Sequence, residues 1–352
     1  MKKILNKIKE NLNNKNILIT NINDIFYITR FKSSNFRILL INGEWYGLTD
    51  GRYLESAKNE VEGMNIIDML DQNWLNNIIS KNPFTKLYVN DSDTTVKEFN
   101  EYTKAFSKKG IELKSFNYGY IRDAYLESDL EILEKASEIN DELITKAIEH
   151  TKPGMTEKQL EAFILKSIID AEVDGPSFEP IVISGANTSK PHGKATDKVI
   201  ESGELITIDM GIVYKGFCSD MTRTFSIGEI KNKEASRIWD MVEEATKSCT
   251  EMIKPGANCK DVHMKAVEVF EKYGYAKYFS HGLGHGLGVE VHDKPAFNQR
   301  AENDFLKEGM VMTVEPGLYI PGKYGCRLEN AVLVTKDGYK LLNKVPFIKE
   351  VK

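Results

Sequence analysis

The segment GELITIDMG (203–211) recurs in outline as GMVMTVEPG (309–317), and this repetition decides the fold. Glycine stands at both ends of each copy, threonine occupies the fifth position, and a carboxylate, Asp209 or Glu315, occupies the seventh. The two copies lie 106 residues apart. Each copy has the pattern of a buried strand that ends in a carboxylate, which indicates an internal duplication.

The surroundings of the two copies repeat as well. A helix ends at KPG (152–154) and a second helix follows it; the same sequence of features recurs at KPG (254–256). Each second helix leads through a stretch rich in glycine and histidine to one copy of the repeated segment. The sequence therefore predicts a pseudo-twofold domain of two helix–helix–strand halves.

The N-terminal part has a different pattern, typical of a small α/β domain. FRILLI (36–41) is strand-like, and Asn42-Gly43 predicts a hairpin turn after it. A boundary near residues 117–127 gives two domains, 1–121 and 122–352, in an overall α+β protein. Capping boxes are predicted at Ser128 with Glu131 and at Thr156 with Gln159.

Composition excludes several classes of function. The net charge of −5 leaves no basic excess to neutralise phosphates, which argues against nucleic-acid binding. No stretch approaches the ~20 apolar residues that a membrane span needs, and no signal peptide is evident, so we expect a cytoplasmic protein without membrane contact. The four cysteines lack metal-binding spacing.

The carboxylates of the repeated segments have partners further along the chain. A turn at Tyr214-Lys215 would place Asp209 directly opposite Asp220 on a hairpin. In the second half, Glu315 and Glu329 are symmetric about Gly322. Like charges in such an arrangement are destabilising and raise one another's pKa. Two divalent cations would balance the four charges, so the pattern predicts a dinuclear metal site.

Four of the six histidines lie in glycine-rich stretches. His192 belongs to PHG, whereas His281, His285 and His292 belong to SHGLGHGLGVEVH (280–292). So many glycines exclude a helical H-x-x-x-H zinc site and indicate a turn that exposes imidazoles. The cluster favours a catalytic site.

These stretches together resemble a known family. VISGANTSKPHG, the Asp209 and Asp220 hairpin, SHGLGHGLGVEVHD, TVEPGLYIPG and CRLEN are similar to the pita-bread metallopeptidases. Because an N-terminal domain is present, the resemblance is to the branch that contains Xaa-Pro aminopeptidase and Xaa-Pro dipeptidase (prolidase). It implies a creatinase/prolidase-like N-terminal domain followed by a duplicated pita-bread catalytic domain.

The resemblance also implies the metal ligands. Asp209 would bind one ion, His285 and Glu315 the other, and Asp220 and Glu329 would bridge them. The expected cofactors are two divalent ions, Mn²⁺ in the first place, with Co²⁺ or Zn²⁺ as alternatives. The ions would activate a water and polarise the scissile carbonyl.

Further residues match positions around the substrate in this family. Glu315 is expected to act as general base, and the resemblance gives catalytic roles to His192, His281 and His292. Tyr319 and Arg327 are expected near the substrate. Asn330 departs from the aspartate of many relatives, and Cys326 from a common valine or glycine.

Three functions are compatible with the resemblance. The sequence favours an Xaa-Pro aminopeptidase, which acts on peptides with proline at the second position. The alternative is a prolidase, restricted to dipeptides by a basic residue for which Arg300 is the candidate. A creatinase-like hydrolase or a binding scaffold is disfavoured because all five ligand positions are present. The family also implies a homodimer.

Overall fold

The computed structural model describes residues 2–12, 15–117, 121–122 and 125–352. The chain divides into two units, Met1–Arg122 and Asp123–Lys352, and the expected α+β class is confirmed. The predicted boundary segment includes residues 118–120 and 123–124, which lie outside the described residues. A division between residues 121 and 122 therefore stays a prediction.

The first unit is built on a six-stranded sheet with two hairpin strands near its centre. Its strands are β1 (Ile17–Ile19), β2 (Phe36–Ile41), β3 (Glu44–Thr49), β4 (Asn65–Asp68), β5 (Lys86–Asn90) and β6 (Glu112–Phe116). Its helices are α1 (Lys2–Asn11), α2 (Ile22–Thr29), α3 (Leu54–Glu60), α4 (Trp74–Lys81) and α5 (Val96–Ser107). The spatial order of the strands is β4-β3-β2-β1-β5-β6. The predicted turn at Asn42-Gly43 is confirmed, since both residues have positive φ and join β2 to β3.

The second unit contains four long helices and two larger sheets among its described residues. The helices are α6 (Glu127–His150), α7 (Glu157–Ile169), α8 (Lys233–Thr250) and α9 (Cys259–Lys272). The strands of the first half are β7 (Gly175–Pro176), β8 (Ile181–Ser184), β9 (Ile206–Met210), β10 (Ile212–Tyr214), β11 (Phe217–Cys218) and β12 (Met221–Ile227). Those that follow are β13 (Gly284–Gly286), β14 (Asp293–Phe297), β15 (Val311–Val314), β16 (Gly317–Ile320), β17 (Tyr324–Arg327), β18 (Asn330–Val334), β19 (Tyr339–Leu341) and β20 (Glu350–Val351). The larger sheets have the orders β20-β12-β9-β8 and β14-β13-β15-β18-β19.

The repeated segment adopts the same local structure in both halves. Gly203 and Gly309 have φ of 81° and 84°, a backbone conformation that residues with a Cβ rarely adopt. Gly203 N–H donates to the carbonyl of Ile227 at the end of β12 (2.9 Å), and Gly309 N–H donates to that of Val334 at the end of β18 (3.0 Å). The duplication read from the sequence is thus present in the hydrogen bonds.

The two KPG turns repeat as well. Gly154 N–H donates to the carbonyl of Ile200 (2.9 Å), and Gly256 N–H donates to that of Leu306 (2.8 Å). In each half the turn is therefore tied to the segment that leads into the repeated strand. Two separate apolar cores result, one packing α6 and α7 on β8, β9 and β12, the other packing α8 and α9 on β15 and β18.

The predicted helix starts are confirmed in one case and wrong in the other. The Thr156 and Gln159 capping box is present at the start of α7. Helix α6, however, begins at Glu127, before Ser128, because the carboxylate of Asp129 accepts the N–H of Leu126 (3.1 Å). A carboxylate that reaches back from the third helical position can start a helix without a hydroxyl. Among the described helices, none combines the length and apolar character of a membrane span.

Candidate metal centre

The hairpin of the first half carries Asp209 and Asp220. Its turn lies at Lys215-Gly216, which have φ of 49° and 82°, and Asp209 faces Thr222 across β9 and β12. The predicted turn at Tyr214-Lys215, with Asp209 directly opposite Asp220, is therefore wrong. A two-residue turn of this type needs positive φ at both positions, and Gly216 supplies the second one. The displacement along the strand is two residues, which keeps both carboxylates on one face.

The hairpin of the second half follows the predicted symmetry. The pairing of β15 with β18 ends with Val314 opposite Asn330, so Glu315 and Glu329 come next to each other as the following pair. The same register continues through β16 and β17 to a turn around Gly322. The prediction that Gly322 is the centre of this hairpin is confirmed.

His285 brings an imidazole to the carboxylates. Its Nε2 lies 3.2 Å from Glu315 Oε1 and 3.8 Å from Asp220 Oδ2. Three potential ligand atoms lie within 4.8 Å of one another, one from each of Asp220, His285 and Glu329. His285 Nδ1 lies 3.0 Å from the carbonyl oxygen of Gly286, which can only accept a hydrogen bond. Nδ1 therefore carries a proton in either charge state, and Nε2 offers its lone pair to a metal ion once the imidazolium beside Glu315 has lost its other proton.

Arg327 holds the remaining carboxylate. Its Nη2 donates to Asp209 Oδ2 (2.5 Å), its Nη1 donates to the Tyr319 hydroxyl (2.8 Å), and its Nε donates to Thr222 Oγ1 (3.1 Å). The guanidinium is buried, with 4% of its residue surface exposed. It fixes the orientation of Asp209 through a charge-assisted hydrogen bond, which is stronger than one between neutral groups.

Burial dominates the electrostatics of the cluster. Burial raises the pKa of Asp220 well above its usual range, and the charges of Glu329 and Asp209 add to this effect. Burial also raises the pKa of Glu329 to about 8, with the charge of Glu315 adding to it. For Glu315, the hydrogen bond and charge of His285 outweigh burial and lower the pKa to about 2. Without cations the cluster therefore retains protons, which metal binding must displace.

Two oxygens of the cluster have unsatisfied hydrogen-bonding capacity. Among the described residues, Asp209 Oδ1 and Glu329 Oε1 are buried without a hydrogen-bond partner. A buried and unpartnered polar atom is costly, whereas a cation in contact with it would offset that cost. Four carboxylates and one imidazole form a donor set suited to divalent cations. The residues therefore fit metal ions.

The cluster lies in a cavity of about 740 Å³. Most of the predicted site residues line this cavity: Asp209, Asp220, His285, Glu315, Glu329, His192, His281, His292 and Arg327. Apolar side chains cover other parts of its wall, among them Phe178, Ile181 and Phe297. The cavity can therefore hold a small substrate with an apolar portion next to the carboxylates.

His281 is bonded away from the carboxylate cluster. Its Nε2 lies 3.0 Å from the Tyr319 hydroxyl, and its Nδ1 lies 2.6 Å from the carbonyl oxygen of Gly282. The carbonyl requires a proton on Nδ1, so Nε2 accepts the hydroxyl hydrogen of Tyr319, which in turn accepts a hydrogen bond from Arg327. Burial lowers the pKa of His281, which favours this neutral form. The two nearby histidines thus differ in what their Nε2 atoms face.

Family models match both parts of the chain. Residues 131–336 match the metallopeptidase family M24, and residues 2–118 match the creatinase/prolidase N-terminal domain. The chain belongs to metallopeptidase family M24. This membership confirms the resemblance inferred from the sequence and makes the chain a metallopeptidase, which implies divalent metal ions at the cluster.

Individual relatives cover most or all of this M24 chain. An Xaa-Pro dipeptidase from Pyrococcus horikoshii is 40% identical over 242 residues, which are 67% of this chain and 68% of the relative. The solved structure of an Xaa-Pro dipeptidase from Bacillus anthracis has a TM-score of 0.93 at 28% identity and covers 99% of both chains. An X-Pro aminopeptidase from Thermotoga maritima has a TM-score of 0.87 at 29% identity, covering 98% of this chain and 100% of its own.

Two of the predicted substrate residues do not line the cavity of this M24 enzyme. Tyr319 does not line the cavity, but its hydroxyl is hydrogen-bonded to two residues that do, His281 and Arg327. Arg300 is exposed in the turn after β14, where its N–H donates to Asn298 Oδ1 (2.8 Å). Asn298 lines the cavity, whereas Arg300, two residues further along the chain, does not. The placement of Arg300 at the substrate stays a prediction.

Sequence reasoning missed two threonines that contact the carboxylates. Thr222 Oγ1 donates to Glu329 Oε2 (2.7 Å), and Thr313 Oγ1 donates to Glu315 Oε1 (3.3 Å). A signal for Thr222 existed, since it lies two residues after Asp220 and therefore on the same strand face. Asn330, which replaces the aspartate of many relatives, also has a hydrogen-bond partner. Its Oδ1 accepts a hydrogen bond from the buried Arg223 (2.9 Å).

Proposed function

We propose that this chain is an Xaa-Pro dipeptidase that uses two divalent metal ions. The observation that carries the proposal is the full-length likeness to the Bacillus anthracis Xaa-Pro dipeptidase, with a TM-score of 0.93 over 99% of both chains. The Pyrococcus relatives in sequence are also named Xaa-Pro dipeptidases. The sequence alone favours the aminopeptidase, but these relatives support the dipeptidase better, so we reverse that preference.

The proposed ligands are those expected from the family. Asp209 would hold one ion, His285 and Glu315 the other, and Asp220 and Glu329 would lie between the two. The proximity of Asp220, His285 and Glu329 supports this assignment. We propose Mn²⁺, with Co²⁺ or Zn²⁺ as alternatives, because carboxylates outnumber the single imidazole. When bound, the ions supply Lewis-acid polarisation of the scissile carbonyl and lower the pKa of a water.

The side chains around the ions would manage the protons. Glu315 is the proposed general base, and its lowered pKa keeps it an acceptor at neutral pH. The leaving group is the proline nitrogen, which carries no N–H in the peptide and must receive a proton. His192 and His292 line the cavity and are proposed to supply it, whereas His281, whose two ring nitrogens are bonded to Gly282 and Tyr319, is proposed to contact the substrate at the cavity wall through its ring.

A dipeptide also presents a free carboxylate close to the scissile bond. Two lysines line the cavity, Lys194 and Lys294. Lys194 is paired with Glu179 (2.9 Å), whereas Lys294 forms no ion pair with any residue in the described ranges. A cation at the cavity wall favours a substrate whose carboxylate comes within reach, which supports a dipeptide over a longer peptide.

Three further features stay predictions. The homodimer is implied by the family, the cytoplasmic location by the sequence, and the choice of manganese by the donor set. Mass photometry would test the first, and metal analysis of reconstituted protein would test the third.

The deciding experiment compares substrates of matched sequence. We expect the Mn²⁺-loaded enzyme to cleave Xaa-Pro with a higher kcat/KM than Xaa-Pro-Xaa and Xaa-Pro-amide, because only the dipeptide places a carboxylate in the cavity. Xaa-Ala serves as the control for proline. Equal or faster cleavage of the tripeptide would establish the aminopeptidase instead, and cleavage of none of the Xaa-Pro substrates would refute both.

A further inference from the structure

Glu157 is a completely buried carboxylate outside the metal cluster. It is the first residue of α7, and 0% of its surface is exposed. Its Oε1 accepts hydrogen bonds from the backbone N–H of Ser184 (2.7 Å), the Ser184 hydroxyl (3.1 Å) and the Asn187 amide (3.1 Å). Its Oε2 accepts from the Thr196 N–H (3.0 Å), the Thr196 hydroxyl (2.6 Å) and the same amide (3.1 Å).

No described cation forms an ion pair with this carboxylate. The nearby Lys198 donates to Ser184 Oγ (3.0 Å) but forms its ion pair with Glu204 (2.6 Å). A buried carboxylate without a counter-ion is costly, and here only hydrogen-bond donors and the N-terminus of α7 compensate it. Such an arrangement needs every donor in place, so it specifies the geometry of the segments that supply them.

The donors lie on both sides of His192 in the chain. Ser184 and Asn187 precede the imidazole, and Thr196 follows it. The single carboxylate therefore ties together the two ends of a loop, residues 184–196, which we name the His192 loop. The middle of the loop carries His192 into the catalytic cavity.

The His192 loop also contacts the strand that carries Arg327. The carbonyl of Pro191 accepts a hydrogen bond from Arg327 Nη1 (3.2 Å), and Thr188 Oγ1 accepts the N–H of Gly325 (2.8 Å). A shift of the loop would therefore displace His192 and remove one acceptor from the guanidinium that holds Asp209. In both cases Glu157 would affect the reaction by changing where other residues lie, without touching the substrate itself.

The second half shows what the carboxylate adds. Its corresponding helix, α9, begins with Cys259 after the N-cap Asn258, and Cys259 is buried in an apolar core. The helix start therefore does not require a carboxylate at this position. The first half carries one where a loop with an imidazole must be fixed.

We propose that Glu157 is a positioning residue for the reaction, which fixes His192 in the cavity by tying both ends of the His192 loop. The inference rests on the proposed function insofar as His192 serves the reaction. Its structural part, the fixed position of the imidazole, is independent of the substrate.

The test is Glu157→Gln, which keeps the shape but turns one acceptor oxygen into a donor amide that faces other donors. We expect kcat on Xaa-Pro to fall by ~10–100-fold, the range for loss of an orienting partner, with KM and metal content little changed. Asp197→Asn is the matched control, since it lies directly after the His192 loop and removes only an exposed ion pair to Lys158, and it should retain the wild-type rate.

A double-mutant cycle separates positioning from general destabilisation. In a His192→Ala background, Glu157→Gln should cost little further activity, because the group that it positions is gone. The same loss in both backgrounds, or no loss in the wild-type background, would overturn the proposal. If Glu157→Gln does not fold, Thr196→Val takes its place, with a smaller loss in the same direction expected and the same cycle applied.

An NMR readout does not depend on activity. In histidine imidazole spectra of the metal-free protein, Glu157→Gln should shift or broaden the His192 signals and leave those of His150 in place. His192→Ala assigns the signal. Unchanged His192 signals in Glu157→Gln would refute the positioning role even if the wild-type enzyme were active. If the wild type does not cleave Xaa-Pro but Glu157→Gln shifts the His192 signals, only the proposed function is refuted.

Discussion

The two halves of the catalytic unit share a strand plan but hold their carboxylates by different partners. In the first half Asp209 is bound by the guanidinium of Arg327, which carries its charge at any physiological pH (2.5 Å). In the second half Glu315 faces the imidazole of His285, which can lose its proton and bind a metal ion (3.2 Å). The duplication thus supplies a symmetric scaffold, and the two halves differ in the side chain that contacts the carboxylate, a guanidinium in one and an imidazole in the other.

The pairs of carboxylates also differ in register. Glu315 and Glu329 follow directly on the pair Val314 and Asn330, so they come opposite each other. Asp209 instead faces Thr222, and Asp220 lies two residues along the strand. The two glutamates therefore reach the cavity from directly opposite strand positions, whereas the two aspartates reach it from positions two residues out of register. We expect substitutions at equivalent positions in the two halves to have unequal effects.

The largest effect is expected for Asp220→Ala. Asp220 belongs to the first half but shares a cluster with His285 and Glu329 of the second half. Its loss should reduce activity by well over the ~100-fold typical for an outer partner and lower the bound metal below two ions per chain. Metal analysis with activity on Xaa-Pro measures both. Asp240→Ala, which changes an exposed aspartate, is the control, and near-normal turnover of Asp220→Ala would disprove the proposed bridging role.

The next effect separates the two neighbouring histidines. His285→Ala should lose metal affinity together with rate, because its Nε2 faces the carboxylates. His281→Ala should keep the bound ions, because the His281 Nε2 is bonded to Tyr319 and not to the carboxylates. It should nevertheless lose ~10²–10⁴-fold in kcat, because it removes a side chain that lines the substrate cavity. Calorimetric metal titration of the two variants is the measurement. Loss of metal in His281→Ala with retention in His285→Ala would reverse the assignment.

A smaller effect distinguishes the two threonines. Thr222→Val removes a 2.7 Å hydrogen bond to Glu329 and an acceptor for Arg327, so metal affinity should fall by ~10–100-fold. Thr313→Val removes a 3.3 Å hydrogen bond to Glu315, which His285 still contacts, and should cost less. Competition with a metal indicator measures both affinities. An equal or greater cost for Thr313→Val would contradict the asymmetry of the halves.

The smallest effect concerns pH and stability. In the metal-free chain the pKa of Glu329 is raised from 4.5 to about 8, so its stabilising contribution is complete below 4.5 and is lost as the pH rises through about 8. The pKa of His285 is raised from 6.5 to about 9, so its contribution is complete below 6.5 and is lost as the pH rises through about 9. The Tm of metal-free protein should therefore fall as the pH rises through this range, while the gain in Tm on adding Mn²⁺ should grow. Scanning calorimetry with and without Mn²⁺ checks this, and a rising metal-free Tm would contradict it.

The repeated segments made much of the catalytic unit predictable. Gly203 and Gly309 have no side chain and need positive φ, so their spacing carried the duplication directly. The predicted turn at Tyr214-Lys215 lies one position too early, because a two-residue turn of this type needs positive φ at both positions and Gly216 adopts it more readily than Tyr214.

The partners of the site residues were less predictable than the residues themselves. Thr222 and Glu329 are 107 positions apart in the chain, and no local pattern links a hydroxyl to a distant carboxylate. Arg300 has the expected charge and lies two residues after Asn298, which lines the cavity, yet Arg300 itself is exposed and does not line it. Tertiary contacts of this kind depend on the packing of whole strands, which single-sequence reasoning does not reach.

The hairpin between Asp209 and Asp220 restricts how this gene can change in length. Side chains alternate between the two faces of a strand, so insertion or deletion of a single codon in one strand of this hairpin would turn the residues beyond it to the opposite face. A paired change, one codon in each strand or two around Lys215-Gly216, would preserve the side that each aspartate occupies. Evolution of a longer or shorter hairpin is therefore expected to proceed in even steps.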